Sequence, residues 1–211
     1  MSEQPSEDGT EPVEHYFSTQ PAGEFTTRLI SVRIAGHDVQ VETASGIFSP
    51  DHIDDGTKVL LDEAPTPPAS GDLLDIGCGW GPIALTLATE SPEATVWAVE
   101  VNERSLELTR RNAARLGLSN VRAVRPEDVP GDVQFAQIWS NPPIRIGKDA
   151  LHELLQLWLP RLAPSAEAWL VVQKNLGADS LHAWMNDEFA PATIERAAVG
   201  KGFRVLRYTS V

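Results

Sequence analysis

The segment DIGCGWG, residues 75–81, most constrains the fold, because it joins an apolar strand over 72–76 to a helix predicted over 82–88. An acidic residue at a strand end, followed by glycines, lets the backbone approach a ligand closely where the next helix begins. The same order then recurs, with a strand over 95–99 and a helix over 103–116. Alternating strands and helices predict an α/β fold built on a mostly parallel, twisted sheet.

The pattern continues towards the C-terminus and ends in an antiparallel pair, which is common at the end of a parallel sheet. The further strands and helices are predicted over 121–124, 134–139, 151–159, 169–172, 179–189, 193–199 and 203–208. Ahead of the sheet we predict a short β-hairpin over 28–42, a helix over 54–63 and a proline-rich linker over 64–71.

The composition suits one α/β domain, since the chain has 211 residues and is 42% hydrophobic. Five acidic and no basic side chains fall in the first fourteen residues, which predicts a disordered acidic tail. The domains expected are therefore the tail over 1–14, a hairpin and helix extension over 15–70, and the main domain over 71–211. A net charge of -13 argues against a general nucleic-acid coat protein but leaves room for a local basic site.

Several classes of protein are disfavoured by simple patterns. No apolar stretch has the length of a membrane span, and the acidic N-terminus lacks a targeting pattern, so a cytoplasmic location is expected. Cys78, the single cysteine, cannot form an internal disulfide. The five histidines lack the spacing of metal ligands, and no metal is expected.

The glycine spacing indicates the kind of cofactor. A dinucleotide-binding loop favours G-x-G-x-x-G, whereas these glycines lie at 77, 79 and 81 and are followed by proline, which disfavours a nicotinamide oxidoreductase. D-x-G-x-G-x-G is instead similar to the S-adenosylmethionine loop of Rossmann-like methyltransferases. Glu100 ends the next strand, where a carboxylate can accept both ribose hydroxyls of an adenosine. Glu127 or Asp128, after the third strand, is a candidate contact for the adenine amino group.

Asn141-Pro142-Pro143 follows an apolar strand and suggests methylation of a planar nitrogen. An exocyclic amine conjugated to a ring is a poor nucleophile. The Asn141 side-chain carbonyl and the Pro142 backbone carbonyl can accept its two hydrogens, direct its lone pair and favour positive charge on nitrogen in the transition state. The two prolines hold the second carbonyl rigid and out of helix pairing. The simpler alternative is a strand ended by a proline turn.

These motifs together resemble the ribosomal RNA guanine-N2 methyltransferase family of the RsmC type, class I enzymes with a methyltransferase small domain. The resemblance covers about residues 15–208 and is carried by DIGCGWG, AVEVNERSLEL, SNPPIRIGK and VVQKNLG, together with HYFS, SGIFS and KGFRVL. It implies S-adenosylmethionine as cofactor and a Rossmann-like fold. The cofactor contacts and catalytic positions that it implies are Asp75, Gly77, Cys78, Gly79, Glu100, Glu127, Asn141, Pro142 and Pro143.

The substrate side departs from that family. Many members have an aromatic residue after Asn-Pro-Pro to stack on a flipped base, whereas this chain has Ile144, and Phe48 is a candidate replacement if it is not a core or lid residue. Arg145 and Lys148 are candidate contacts to phosphates beside the target. Better-known members also carry a second, degenerate N-terminal domain, and this chain has one copy.

Other cations are predicted to be solvated surface charges. They are Arg110, Arg111, Arg115, Lys174 and Lys201, and Glu107 is placed to pair with Arg111 at i,i+4.

The sequence thus predicts an S-adenosylmethionine-dependent N-methyltransferase acting on guanine N2 in ribosomal RNA, with ribosomal RNA or a ribosomal subunit as partner. Three alternatives stay open: methylation of adenine N6, methylation of a protein glutamine amide, and a cofactor-binding module without catalysis.

Overall fold

The computed structural model describes residues 25–211. The predicted acidic tail over 1–14 and the HYFS segment over 15–18 lie outside the described residues. Within residues 25–211, no helix is long and apolar enough to cross a membrane.

The N-terminal extension contains a two-stranded hairpin and one helix. Strands β1 (Thr27–Ile34) and β2 (His37–Ala44) pair antiparallel, as predicted. Helix α1 (Asp55–Glu63) begins at Asp54, whose side chain accepts hydrogen bonds from the N–H groups of Gly56 and Thr57. An aspartate at this position satisfies donors that have no partner within the helix, which explains where α1 starts.

The main sheet has seven strands, in the order β5-β4-β3-β6-β7-β9-β8. The strands are β3 (Ser70–Ile76), β4 (Glu93–Val99), β5 (Val121–Val124), β6 (Phe135–Ser140), β7 (Leu162–Gln173), β8 (Thr193–Gly200) and β9 (Phe203–Thr209). Strands β3 to β7 pair in parallel, and β9 pairs antiparallel with both β7 and β8. The predicted mostly parallel sheet with a C-terminal antiparallel hairpin is confirmed.

Some predicted boundaries were wrong by a few residues. Ser70 and Gly71 were expected in the linker, but they belong to β3 and pair with Glu93 and Ala94 of β4. Strand β7 is much longer than the predicted 169–172, because it continues along β9 at one end and reaches back to Leu162 at the other. Both corrections come from pairing with distant strands, which has no local signal.

Four further helices cover the sheet. They are α2 (Pro82–Glu90), α3 (Glu103–Arg115), α4 (Lys148–Trp158) and α5 (Ala178–Glu188). Asn102 caps α3 as predicted, by accepting from the N–H groups of Arg104 and Ser105. The predicted apolar stripe of α4 is buried at Leu151, Leu155 and Trp158, so packing against the sheet explains it.

Asn112, a fully buried residue of α3, attaches the hairpin to the main domain. Its Oδ1 accepts from the N–H of Glu42 at 2.6 Å, and its Nδ2 donates to the carbonyls of Glu42 and Trp80, each at 3.0 Å. Arg111 and Arg115 also pair with the carboxylate of Glu42, at 3.5 and 2.9 Å. The basic face of α3 is therefore occupied by ion pairs, including the predicted Glu107–Arg111 pair at 2.8 Å.

We predict that Asn112→Ala lowers the free energy of unfolding by about 3 kcal/mol, because it leaves buried backbone groups of Glu42 and Trp80 without partners. Urea unfolding followed by circular dichroism measures the change. Asn175→Ala is the control, since Asn175 is exposed and its loss should change stability by less than about 0.5 kcal/mol. Equal stability of the two variants would show that Asn112 does not stabilise the fold.

Candidate active site

The candidate site lies where the chain changes direction across the sheet. Strands β3 and β6 are neighbours, yet the chain proceeds from β3 towards β5 on one side and from β6 towards β7 on the other. Ligands of open α/β sheets bind at the carboxyl ends of the strands at such a point. The glycine loop follows β3, and Asn141-Pro142-Pro143 follows β6. The topology thus brings the two main sequence motifs side by side.

A cleft opens between these two loops. It is lined by Phe48, Ser49, Asp54, Thr57, Gly77, Cys78, Gly79, Trp80, Pro82, Ile83 and Asn141. Five of the residues predicted from sequence therefore meet in one place, and the extension contributes as much of the wall as the glycine loop does. Within the described part of the chain, no group of three or more His, Cys, Asp or Glu side chains is arranged to hold a metal ion.

The backbone of the glycine loop needs its glycines. Gly77, Gly79 and Gly81 have φ angles of 75°, 57° and 103°, a region that residues with a Cβ rarely adopt. A Cβ on Gly81 would lie 3.1 Å from Oγ1 of Thr109, whereas a Cβ on Gly79 would meet no atom within 4 Å. Gly81 is therefore required for packing, and Gly79 faces the open cleft.

The N–H groups of this loop are largely used within the protein. Gly77 and Cys78 donate to the carbonyl of Val99, at 2.8 and 3.1 Å, and Gly81 donates to that of Cys78 at 2.9 Å. Gly79 donates to the carboxylate of Glu100 at 3.2 Å. A phosphate-binding loop would leave such donors free. This loop suits a cationic or neutral ligand instead.

Asp75 supports the loop from beneath. It has no exposed surface, and its Oδ2 accepts from the N–H of Ala84 at 3.0 Å, in the first turn of α2. Burial, opposed by this hydrogen bond, raises the pKa of Asp75 well above its usual value. Pro82 has no N–H, so the start of α2 offers few donors to an anion. The predicted cofactor contact of Asp75 would thus be made through the loop that it holds.

Glu100 lies beside the loop at the end of β4. Its carboxylate accepts from the N–H groups of Gly79, Val101 and Asn102. Burial raises its pKa, and these three hydrogen bonds act in the opposite direction. A carboxylate has about four acceptor sites, so this arrangement leaves about one free, and contact of Glu100 with the ribose hydroxyls stays a prediction.

The amide of Asn141 has a defined orientation. Its Nδ2 donates to Oδ2 of Asp54 at 2.9 Å and to Oγ1 of Thr57 at 3.1 Å. Oδ2 of Asp54 also accepts from the N–H groups of Gly56 and Thr57, so it acts as an acceptor and the nitrogen of the amide faces it. The Oδ1 of Asn141 is left as the acceptor that the amide presents to the cleft.

The prolines form a tight turn. Pro143 has φ -74° and ψ 73°, the geometry of an inverse γ-turn, and the carbonyl of Pro142 accepts from the N–H of Ile144 at 2.8 Å. The expectation that this carbonyl avoids helix pairing holds, but it is not free of pairing altogether. One of its two lone pairs stays available to a ligand.

Phe48 is 52% exposed and lines the cleft, so it is not a core residue. Its segment is tied to the glycine loop, because Nε1 of the buried Trp80 donates to the carbonyl of Ser49 at 3.1 Å. The single thiol, Cys78, is 3% exposed, and burial raises its pKa well above the usual value. That thiol stays protonated and contributes to packing.

The other predicted substrate residues, and the predicted cofactor contact Glu127, lie outside this cleft. Ile144 and Lys148 line a second cavity between α4 and α5, together with Leu151, His152, Val172, Leu176, Gly177, Ser180 and Leu181. Arg145 is exposed beside them. Glu127 follows β5 at the same edge of the sheet, but its carboxylate is exposed and pairs with Arg125 at 2.7 Å. The structure therefore does not bring these four residues into the cleft that contains Asn141.

Two residues of the site were missed from sequence, Asp54 and Thr57. The pattern of α1 shows Asp54 as a helix start and gives no sign of its second partner, which lies 87 positions further along the chain. Trp80 was read only as part of the glycine loop, and its contact with Ser49 likewise depends on the tertiary fold.

The fold is that of Rossmann-like methyltransferases. The 16S rRNA N2 G1207 methyltransferase (RsmC) of T. thermophilus, solved with AdoMet and guanosine, matches with a TM-score of 0.76 at 22% identity. The match covers 90% of this chain and 52% of that chain. A methyltransferase from Pyrococcus furiosus matches with a TM-score of 0.58 at 24% identity, over 73% of this chain and 81% of that chain.

Sequence comparison gives the family. Residues 38–207 match the family described as methyltransferase small domain. The chain belongs to this family, whose members use S-adenosylmethionine, and it is an S-adenosylmethionine-dependent methyltransferase. The resemblance to RsmC-type enzymes is confirmed.

Two relatives define how far the likeness extends. Uncharacterized protein YbxB of Bacillus subtilis (strain 168) is 33% identical over 201 residues, which are 94% of this chain and 99% of YbxB. Ribosomal RNA small subunit methyltransferase C of Aeromonas hydrophila is 36% identical over 126 residues, 59% of this chain. The chain spans 36% of that enzyme's length.

The cleft fits S-adenosylmethionine. The open space above Gly79 admits a ligand close to the backbone, and the loop around it has few free donors for phosphate. Glu100 retains an acceptor site beside Gly79 for a hydroxyl group.

We predict that Gly79→Ala lowers affinity for S-adenosylmethionine by more than about tenfold, because the added methyl group enters the cleft. Isothermal titration calorimetry measures the affinity. Gly36→Ala is a matched control: Gly36 also has a positive φ, 78°, and open space around its Cβ, but lies in the hairpin turn. Each substitution should cost about 1 to 2 kcal/mol of stability, and only the first should affect binding. Equal affinities would place the ligand elsewhere.

Proposed function

We propose that this protein transfers a methyl group from S-adenosylmethionine to the exocyclic N2 amine of a guanine in ribosomal RNA. The orientation of the Asn141 amide carries the proposal. With its nitrogen held by Asp54 and Thr57, the amide offers an oxygen to a ligand, and an oxygen is what a planar amine requires as a partner for its hydrogen.

The residues of the site act by orienting the amine. Oδ1 of Asn141 and the carbonyl oxygen of Pro142 accept the two amine hydrogens, so the nitrogen lone pair is directed out of the plane of the base. S-adenosylmethionine supplies, when bound, an electrophilic methyl group on a sulfonium. The S–CH3 bond would break as the N–CH3 bond forms, with a neutral thioether as leaving group, and the two acceptor oxygens would stabilise the positive charge that develops on the amine nitrogen.

The same arrangement explains how the methylated amine loses a proton. Once the nitrogen carries positive charge, one of its hydrogens becomes acidic and passes to water. A general base is not required. Cys78, with its raised pKa, is not suited to be one, and Asp54 already accepts hydrogen bonds from Gly56, Thr57 and Asn141.

Guanine N2 in ribosomal RNA is favoured over adenine N6 and over protein glutamine by the relatives. The Aeromonas relative is named as a ribosomal RNA small subunit methyltransferase, and the Thermus structure as a 16S rRNA N2 G1207 enzyme bound to guanosine. Phe48, exposed in the cleft wall, supports a planar substrate, since its ring can stack on a base where Ile144 cannot.

Transfer of labelled methyl to ribosomal RNA, followed by nucleoside analysis, tests the proposal. N2-methylguanosine is the expected product, and another methylated nucleoside or amino acid would refute it.

Asn141→Ala is expected to lower turnover by more than about 100-fold while the dissociation constant of S-adenosylmethionine changes by no more than a few fold. The variant loses the acceptor for the amine but keeps the glycine loop. A methylation assay and calorimetric titration of the cofactor separate the two effects. Turnover close to wild type would exclude Asn141 from the reaction.

Asp54→Ser tests whether the orientation of Asn141 matters. Serine caps a helix as well as aspartate does, so α1 should keep its stability within about 0.5 kcal/mol. The shorter side chain does not reach Asn141, whose amide is then free to rotate, and turnover should fall by about tenfold to a hundredfold. The Michaelis constant should change little, which distinguishes loss of orientation from loss of folding. Unchanged turnover would show that Asp54 serves the helix alone.

A further inference from the structure

The positive charges of this acidic protein are distributed unevenly. All seventeen Lys and Arg residues fall within residues 25–211. Ten form ion pairs with carboxylates. Arg104 lies over the ring of Phe25, Arg122 lies over the ring of Trp97, and Arg161 lies over aromatic rings and donates to backbone carbonyls. Four cations in this part of the chain have no such partner: Arg145, Lys148, Lys174 and Lys201.

The four unpaired cations lie along one edge of the sheet. Arg145 and Lys148 follow the carboxyl end of β6, and Lys174 follows that of β7. Lys201 is in the turn between β8 and β9, and this turn adjoins Lys174, whose N–H donates to the carbonyl of Gly202 at 2.8 Å. Strands β6, β7 and β9 are neighbours, about 4.8 Å apart, so the cations form an arc that begins three residues after Pro142.

The arc also passes the N-terminal end of α1. Lys58 is the main cause of the lowered pKa of Asp55, and the charge of Lys201 contributes to it. Asp55 is adjacent to Asp54, which holds Asn141. A Cβ on Gly56 would lie 2.8 Å from the ring of Phe203, so the turn that carries Lys201 adjoins the start of α1.

Two of these cations occupy positions that their local structure disfavours. Lys148 is the first residue of α4, where the helix dipole opposes a positive charge. Lys201 has a φ of 49° and precedes Gly202 with a φ of 83°, in a two-residue turn that favours Asn-Gly. Local structure therefore does not explain why a lysine occupies either position, and a strained residue such as Lys201 is often found at a binding site.

We infer that Arg145, Lys148, Lys174 and Lys201 form a single binding surface for the phosphates of the RNA strand that carries the target base. The inference rests on RNA being the substrate, as proposed above. It extends the substrate contact from the loop after β6 to the C-terminal hairpin, and it revises the prediction that Lys174 and Lys201 are merely solvated. Asp149, beside Lys148, forms no ion pair with it. The arc therefore keeps its charge.

The test uses the full chain with S-adenosylhomocysteine and a fluorescein-labelled, single-stranded RNA oligonucleotide that contains guanine. Fluorescence anisotropy gives the dissociation constant between 0.05 and 0.2 M salt for wild type and for the double variant Lys174→Gln, Lys201→Asn. Each phosphate contact to a single strand contributes about 0.7 to the slope of log affinity against log salt. The double variant should lose about 1.4 from that slope. Over this fourfold salt range, wild type should then weaken about sevenfold more than the variant.

Lys201→Asn is chosen because asparagine suits the left-handed turn. The melting temperature should stay the same or rise while RNA binding weakens, an outcome that a structural role for Lys201 does not produce. The matched control is Arg33→Gln with Arg122→Gln, which removes the same charge from the hairpin and from the far edge of the sheet.

The inference is overturned if wild type does not bind the RNA, if the double variant keeps the wild-type slope, or if the control lowers the slope equally. Its failure is distinct from failure of the proposed function. A lower slope with a product other than N2-methylguanosine would leave the phosphate surface standing. An unchanged slope with N2-methylguanosine as product would do the reverse.

Discussion

The arrangement of the site depends on one hydrogen-bonded junction, in which Nδ2 of Asn141 lies against Asp54 and Thr57. The oxygen and the NH2 group of an asparagine amide are similar in shape, but the first accepts hydrogen bonds and the second donates them. The residue that binds one end therefore decides which end faces a ligand. Here the partner is an aspartate that also begins helix α1. One aspartate therefore both begins the helix and orients the proposed catalytic amide, so the N-terminal extension forms part of the candidate site.

The charged side chains around the candidate site are also divided between its two sides. Asp75 is buried under the glycine loop and occupies the start of α2, the place where a nucleotide phosphate would otherwise bind. Glu100 adds a second carboxylate to the loop. The glycine-loop side of the cleft thus has two carboxyl groups, whereas the edge from Arg145 to Lys201 has unpaired positive charge. A sulfonium cofactor and a polyanionic strand would approach different sides of Asn141.

Local signals predicted most of the fold. Asn102, the glycines of the loop and the stripe of α4 depend on neighbours within a turn or two, and the structure has them where expected. The ends of β3 and β7 were missed because they depend on pairing with distant strands. In the site, topology alone was sufficient to bring Gly79 and Asn141 together.

Other parts of the site could not be read from sequence. The side of the loop on which Ile144 lies is set by the turn at Pro143, and Ile144 contributes to a cavity away from Asn141. The contact of Asp54 with Asn141 spans 87 positions, and no periodicity reports it. Whether a lysine is paired is likewise a tertiary property, and the sequence gives no sign of it for Lys174 and Lys201.

Asn112 makes the hairpin and the glycine loop energetically dependent on each other. A single buried amide serves the backbone of β2 at Glu42 and the carbonyl of Trp80. We expect a ligand that stabilises the loop to slow hydrogen exchange in β2, and loss of hairpin docking to weaken that ligand. The hairpin does not line the cleft, yet through this amide its docking depends on the conformation of the glycine loop.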